Sequence, residues 1–155
     1  LMENKGKIIS MDIHENKLEE LNIRAKRAGV RIVNTQLISD ATLNKYQGAA
    51  DKLLLDVPCS GLGVLRRNPD DKWKLNLERI NELIALQAEI LQNYSKMLKK
   101  GGSMVYATCS IYSEENQKQV QKFLANNTDF ELKEEKQLFP SDGFDGFYMA
   151  RLIKK

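Results

Sequence analysis

Metal-ligating and disulfide-forming residues are scarce in this chain. Its 155 residues include two cysteines and one histidine, short of the four ligands a structural zinc site takes. Two cysteines, Cys59 and Cys109, cannot make a disulfide-dense secreted scaffold. They also lack the Cys-x-x-Cys spacing of a dithiol redox centre. No apolar run reaches membrane-spanning length, and no charged-then-apolar leader opens the sequence. A membrane partner and a metal are therefore not called for, and the default address is cytoplasmic. Charge of one sign is lacking too: the formal net charge is +3 and the pI about 8.8. That permits an anionic partner without demanding one. The length suits one domain, able to bury roughly 70% of its unfolded-chain surface.

What is present is an alternation of β-rich runs with helical patterns. "KIISMD" (Lys7–Asp12) reads as a buried strand. In "ENKLEELNIRAKRAG" the apolar positions Leu18, Leu21, Ala25 and Ala28 step by three or four, and Gly29 supplies a helix stop. "RIVNTQ" is a second strand. "KLLLDV" is a third, continuous enough in its apolarity to predict a parallel strand covered on both faces. A long helix is expected from about Asn76 to Lys99, capped by Asn76 and ended by Gly101. Its stripe would be Leu77, Ile80, Ile84, Ile90, Tyr94 and Met97. "SMVYATC" is a fourth strand. Ser113 with Glu114 and Glu115 then opens another helix, with acids placed against its dipole and Val120, Phe123 and Leu124 inward. "FELKEE" and "FYMARLIKK" close the pattern as strands joined by "PSDGFDG". This order predicts an α/β sheet of mostly parallel strands.

Ligands of such sheets collect beyond the carboxyl ends of the strands, where Asp12, Asp56 and Cys109 all fall. An acid ending the strand before the first helix can grip two ribose hydroxyls; Asp12 suits this, or is a solvated acid preceding a helix. Asp40, after the second strand, reads on its own as a turn residue or cap. In "DVPCSG", Pro58 has no amide hydrogen and stops strand pairing, which leaves Cys59 on a turn that can reach a ligand. Each thiol is either a buried hydrophobe or a reactive group, and reactivity requires a cationic or hydrogen-bonding environment. Arg66, Arg67, Lys72 and Lys74 surround Trp73. Cations there could hold phosphates while the indole stacks on a base; alternatively, Asp70 and Asp71 neutralise them and Trp73 is core.

The segments "LLLDVPCSGLGVLRRNPDDKW", "MVYATCSIYSEEN" and "DGFYMARLIKK", in this order, resemble the catalytic domain of the RNA cytosine-5 methyltransferases. The resemblance is strongest to the bacterial 16S ribosomal RNA methyltransferase B (Sun/Fmu) group and runs from Asp12 to the terminal lysines. It implies a Rossmann-like class I sheet, S-adenosyl-L-methionine as cofactor and RNA, expected to be ribosomal, as partner. It implies Cys109 as the nucleophile that adds to carbon-6 of cytosine, and Cys59 as the thiol associated with product release. Asp12 and Asp40 become cofactor acids for ribose and adenine, and Asp56 the acid at the cofactor–cytosine junction. The family pattern also has a first strand and an Ala-Pro-Gly-Gly-Lys loop, which this sequence lacks. The expectation is therefore a single partial catalytic domain over residues 1–155, with the sheet open between "KIISMD" and "KLLLDV". It would be inactive alone and completed by an N-terminal part of the same enzyme. Two other readings are a noncatalytic RNA-binding or scaffold module and, lower, a DNA cytosine methyltransferase, whose nucleophile usually stands in a Pro-Cys-Gln context.

Overall fold

The computed structural model describes residues 2–155, in two compact units, Leu1–Tyr46 and Gln47–Lys155. In the first unit, β1 (Ile8–Asp12) and β2 (Val33–Leu37) pair in parallel, Ile8 opposite Val33 and Asp12 opposite Leu37. The connection is α1 (Glu15–Arg27), which buries Leu18. Its end is a Schellman turn: the amides of Gly29 and Val30 donate to the carbonyls of Lys26 and Ala25 (3.1 and 2.9 Å), and Gly29 takes φ +68°. This is the predicted stop, made at a backbone angle that costs glycine nothing. A short helix, α2 (Asp40–Lys45), follows, with Ser39 as its cap accepting the Thr42 amide at 3.2 Å.

The second unit contains β3 (Ala50–Asp56), α3 (Asp71–Lys74), α4 (Leu77–Tyr94), β4 (Leu98–Thr108), α5 (Gln117–Asn126), β5 (Phe130–Leu138) and β6 (Phe147–Lys154). Its sheet runs β3-β4-β6-β5, parallel between β3 and β4 and antiparallel for the other two pairs. Alternate residues of the two inner strands, Met104 and Tyr106 on β4 and Tyr148, Ala150 and Leu152 on β6, are fully buried. They share one core with Leu91 of α4, Val120 and Phe123 of α5, and Phe130. The period of two on strands against three or four on helices is what lets one face of each element meet the others. Among the described residues no helix is long and apolar enough to cross a membrane.

Four expectations are corrected. The long helix ends at Tyr94, not Lys99: a 3₁₀ turn (Ser95–Met97) follows, and Leu98 to Gly102 belong to β4. Opposite β3 the register jumps from Ala50–Leu98 to Lys52–Ser103, with Gly101 (φ +77°) inside that irregularity and not at a helix end. The helix stripe is also displaced. Leu77 is 78% exposed, while Leu83, Gln87 and Leu91 are buried. The fifth helix begins at Gln117, because Ser113 to Asn116 are spent on turns that bury Glu115 and Asn116 completely. Finally, β3 does have a wet face: Leu54 is 68% exposed. Among the described residues β3 is an edge strand of its sheet, paired with β4.

Candidate active site

Because β3 and β4 are parallel and Asp56 lies opposite Ala107, both strands deliver their next residues at the same end of the sheet. The last rung is the Val57 amide on the Ala107 carbonyl at 3.2 Å. Pro58 then offers no donor, and the chain turns out. The Gly63 amide donates to the Cys109 carbonyl at 3.0 Å, and the Gly146 amide to the Gly63 carbonyl at 2.8 Å. That clasp demands glycine: a Cβ on Gly63 would stand 2.0 Å from the Gly146 oxygen. Arg67 and Asp145 add an ion pair at 2.7 Å. Three segments far apart in sequence, "PCSGLG", "ATCS" and "DGFDG", are thereby tied together.

The result is a meeting of the two thiols. Cys59 Sγ and Cys109 Sγ lie 3.2 Å apart, both unbridged and half-buried. They are displaced in opposite directions. The hydrogen bond from Cys59 is the main force bringing Cys109 down to about 7, against opposition from burial and from the charges of Asp56 and Glu115. The same bond, with burial second, raises Cys59 well above the ordinary thiol range. Of the two, Cys59 holds its proton more tightly and Cys109 ionises more readily. A thiolate is the nucleophilic form of cysteine.

Beneath the thiols lies a polar network that the sequence reading did not find. Each cysteine is followed by a serine, and both serines are buried against Glu115. Glu115 Oε1 accepts the Ser60 amide at 2.8 Å and Gln87 Nε2 at 3.0 Å. Its Oε2 accepts the Ser60 and Ser110 hydroxyls, each at 2.5 Å. Gln87, placed in the middle of the buried face of α4, also donates to the Pro58 carbonyl at 2.9 Å. Tyr106 donates to the Glu115 carbonyl at 2.7 Å, and Asn116 to the Ser110 carbonyl at 2.9 Å. Among the described residues no buried side-chain nitrogen or oxygen lacks a partner, as a buried polar network requires. The signal available in the sequence was the repeated Cys-Ser pair. Glu115, expected as an acid opening a helix, is a buried acceptor in a turn before it.

Asp56 stands exposed at the end of β3, near enough to oppose ionisation of Cys109. In the first unit, Asp12 ends β1 and is partly exposed, its Oδ1 accepting the His14 amide at 2.8 Å and its Oδ2 3.8 Å from Lys17 Nζ. Asp40 is the exposed first residue of α2; the cap itself is Ser39. Trp73 is 80% exposed, so it is not core, and Lys72 Nζ lies 4.8 Å from its ring centroid. Arg66 and Arg67 are exposed as well. Of the local acids, Asp71 pairs with Lys74 at 3.2 Å, while Arg67 is taken by the distant Asp145.

Known proteins match both the sequence and the fold. The sequence model of the 16S rRNA methyltransferase RsmB/F family covers residues 1–153. The ribosomal RNA small subunit methyltransferase B of Yersinia enterocolitica is 39% identical over 162 aligned positions, which take in 97% of this chain and 37% of that protein. The chain therefore spans little more than a third of the length of this curated relative. Among solved structures, NSun6 from Pyrococcus horikoshii, determined with SFG, superposes with a TM-score of 0.87 at 30% identity over 99% of this chain and 42% of its own. A methyltransferase homolog from the same organism superposes with a TM-score of 0.84 at 28% identity, over 99% of this chain and 55% of its own. The fold is the mixed α/β, Rossmann-like one of class I methyltransferases, and the chain belongs to the 16S rRNA methyltransferase RsmB/F family.

Proposed function

We propose that this chain carries the reacting thiols of an S-adenosyl-L-methionine-dependent RNA methyltransferase acting on carbon-5 of a cytosine, in small-subunit ribosomal RNA. The observation that carries the reading is the 3.2 Å thiol pair with its opposite displacements. Carbon-5 of cytosine is a poor nucleophile. Addition of the Cys109 thiolate to carbon-6 pushes an electron pair towards carbon-5, which divides one hard step into easier ones. When bound, S-adenosyl-L-methionine would supply the methyl group as an electrophile, its sulfonium leaving as the neutral thioether S-adenosyl-L-homocysteine. The carbon-5 proton then leaves to a base, the electron pair reforms the ring double bond, and the carbon-6–sulfur bond breaks. The Cys59 thiol, hydrogen-bonded to Cys109, stabilises the departing thiolate and so assists release.

Asp12, Asp40 and Asp56 are the candidates for holding the cofactor. Their chemistry fits: Asp12 is a carboxylate at a strand end, Asp40 is at the head of a short helix and Asp56 is exposed at the end of β3. The exposed indole of Trp73, with Lys72 against it and Arg66 and Arg67 nearby, suits a single-stranded, unstacked RNA segment. On this reading residues 1–155 are part of one catalytic domain of a cytoplasmic enzyme.

The test is covalent trapping. Full-length enzyme is incubated with cofactor and RNA carrying 5-fluorocytidine, in which fluorine blocks loss of the carbon-5 substituent, and the cross-linked peptide is mapped. Attachment is expected at Cys109; attachment at Cys59 would exchange the two roles. RNA binding without transfer or trapping would instead favour a noncatalytic RNA-binding module.

A further inference from the structure

Building on the assignment of Cys109 as nucleophile, we infer that Glu115 is a positioning residue that holds the two cysteine turns in register through the paired serines Ser60 and Ser110. A carboxylate offers about four acceptor sites. Here four donors fill them: the Ser60 amide, the Ser60 hydroxyl, the Ser110 hydroxyl and Gln87 Nε2. No cation is among these partners, although a buried carboxylate is ordinarily paired with one. Glu115 stands instead as a buried acceptor whose donors come from both thiol-bearing turns and from α4.

The chain connectivity gives this consequence. Ser60 is bonded to Cys59 and Ser110 to Cys109, and the two hydroxyls converge on a single oxygen, Oε2, while approaching each other to 3.2 Å. Spreading the thiols apart would break at least one charge-assisted hydrogen bond, among the stronger kinds in proteins. Gln87 extends the strap by holding the Pro58 carbonyl, which fixes the turn from the helix side. A carboxylate in this place is costly as a structural device, because it opposes ionisation of the neighbouring Cys109. It is explained by the geometry it enforces.

Charge and position make opposite predictions for Glu115→Gln, which keeps the shape and removes the charge. The groups facing Cys109 are Cys59, Asp56 and Glu115. Loss of the Glu115 charge alone lowers the Cys109 titration midpoint. Loss of the strap weakens the Cys59 hydrogen bond and raises it. The experiment is the pH profile of Cys109 alkylation by iodoacetamide in the full-length enzyme without RNA, read by peptide mass spectrometry. A rise towards the free-thiol value near 8.5 is expected, with reactivity at pH 7 falling about fivefold or more. A parallel fall in kcat with unchanged KM for RNA is expected, and Glu115→Asp, one methylene too short to keep both turns, should not restore it. Ser60→Ala and Ser110→Ala remove one strap each and should shift the midpoint the same way by less; they decide the matter if Glu115→Gln does not fold. A midpoint that stays or moves down in the folded variants overturns the inference. Because no RNA is present in this titration, it stands apart from the trapping result: 5-fluorocytidine attached elsewhere would overturn the nucleophile assignment while leaving the strap measured.

Discussion

The two units of this protein handle their acids in opposite ways. In Leu1–Tyr46, the candidate residues Asp12 and Asp40 stand at element ends, Asp12 with His14 and Lys17 as local partners, and Leu18 is the one buried residue among those described. In Gln47–Lys155, Glu115 is wholly buried and saturated by donors from Ser60, Gln87 and Ser110, over a core that includes Tyr106, Tyr148, Leu91 and Phe123. An acid offered to a ligand needs only a strand end and open space. Two thiols held at hydrogen-bond distance need a rigid support, and rigidity comes from burial and satisfied polar groups.

The largest effect is expected where this contrast is most functional. Cys109→Ala in the full-length enzyme should lower methyl transfer by on the order of 10³-fold or more while leaving RNA affinity within about twofold, as read by filter binding. Next comes the support. Gly63→Ala would set a methyl group against the Gly146 carbonyl, and overpacking of this kind costs about 1–3 kcal/mol or more in denaturant unfolding. Phe123→Ala should cost about 3–5 kcal/mol, whereas Asp40→Ala, an exposed position, should stay within about 0.5 kcal/mol yet weaken cofactor binding. If the two substitutions destabilise alike, the contrast between the units fails.

Titration sharpens the same comparison. Cys109 should lose alkylation rate as pH falls through about 7, because its thiolate is then protonated. Cys59→Ala removes the donor and should move that midpoint up towards about 8.5, so reactivity at neutral pH falls; Asp12→Ala should leave the midpoint in place. The smallest effect belongs to the surface. Trp73→Ala should leave unfolding unchanged to within about 0.5 kcal/mol, being 80% exposed, and should weaken single-stranded RNA binding by about 1–3 kcal/mol.

Much of the local structure was legible before any coordinates. The six expected strands, the Gly29 stop and the Asn76 cap all appear, because periodicity and capping are short-range properties. Errors arose where a residue's role was settled by something distant. Leu77 and Leu54 look like core residues but are exposed; Gln87 and Glu115 look like surface residues but are buried. Gly101 reads as a helix stop and is instead absorbed by an irregular stretch of strand.

Short-range pattern alone settles that two thiols follow strands, that Pro58 releases the chain beside Cys59, and that acids stand at neighbouring strand ends. These follow from backbone geometry and hydropathy within a few residues. Tertiary packing is what brings the sulfurs, fifty positions apart, within 3.2 Å of one another and what places one buried carboxyl group between their turns. Those outcomes depend on the parallel register of β3 with β4 and on hydrogen bonds spanning many residues, and no local pattern encodes either.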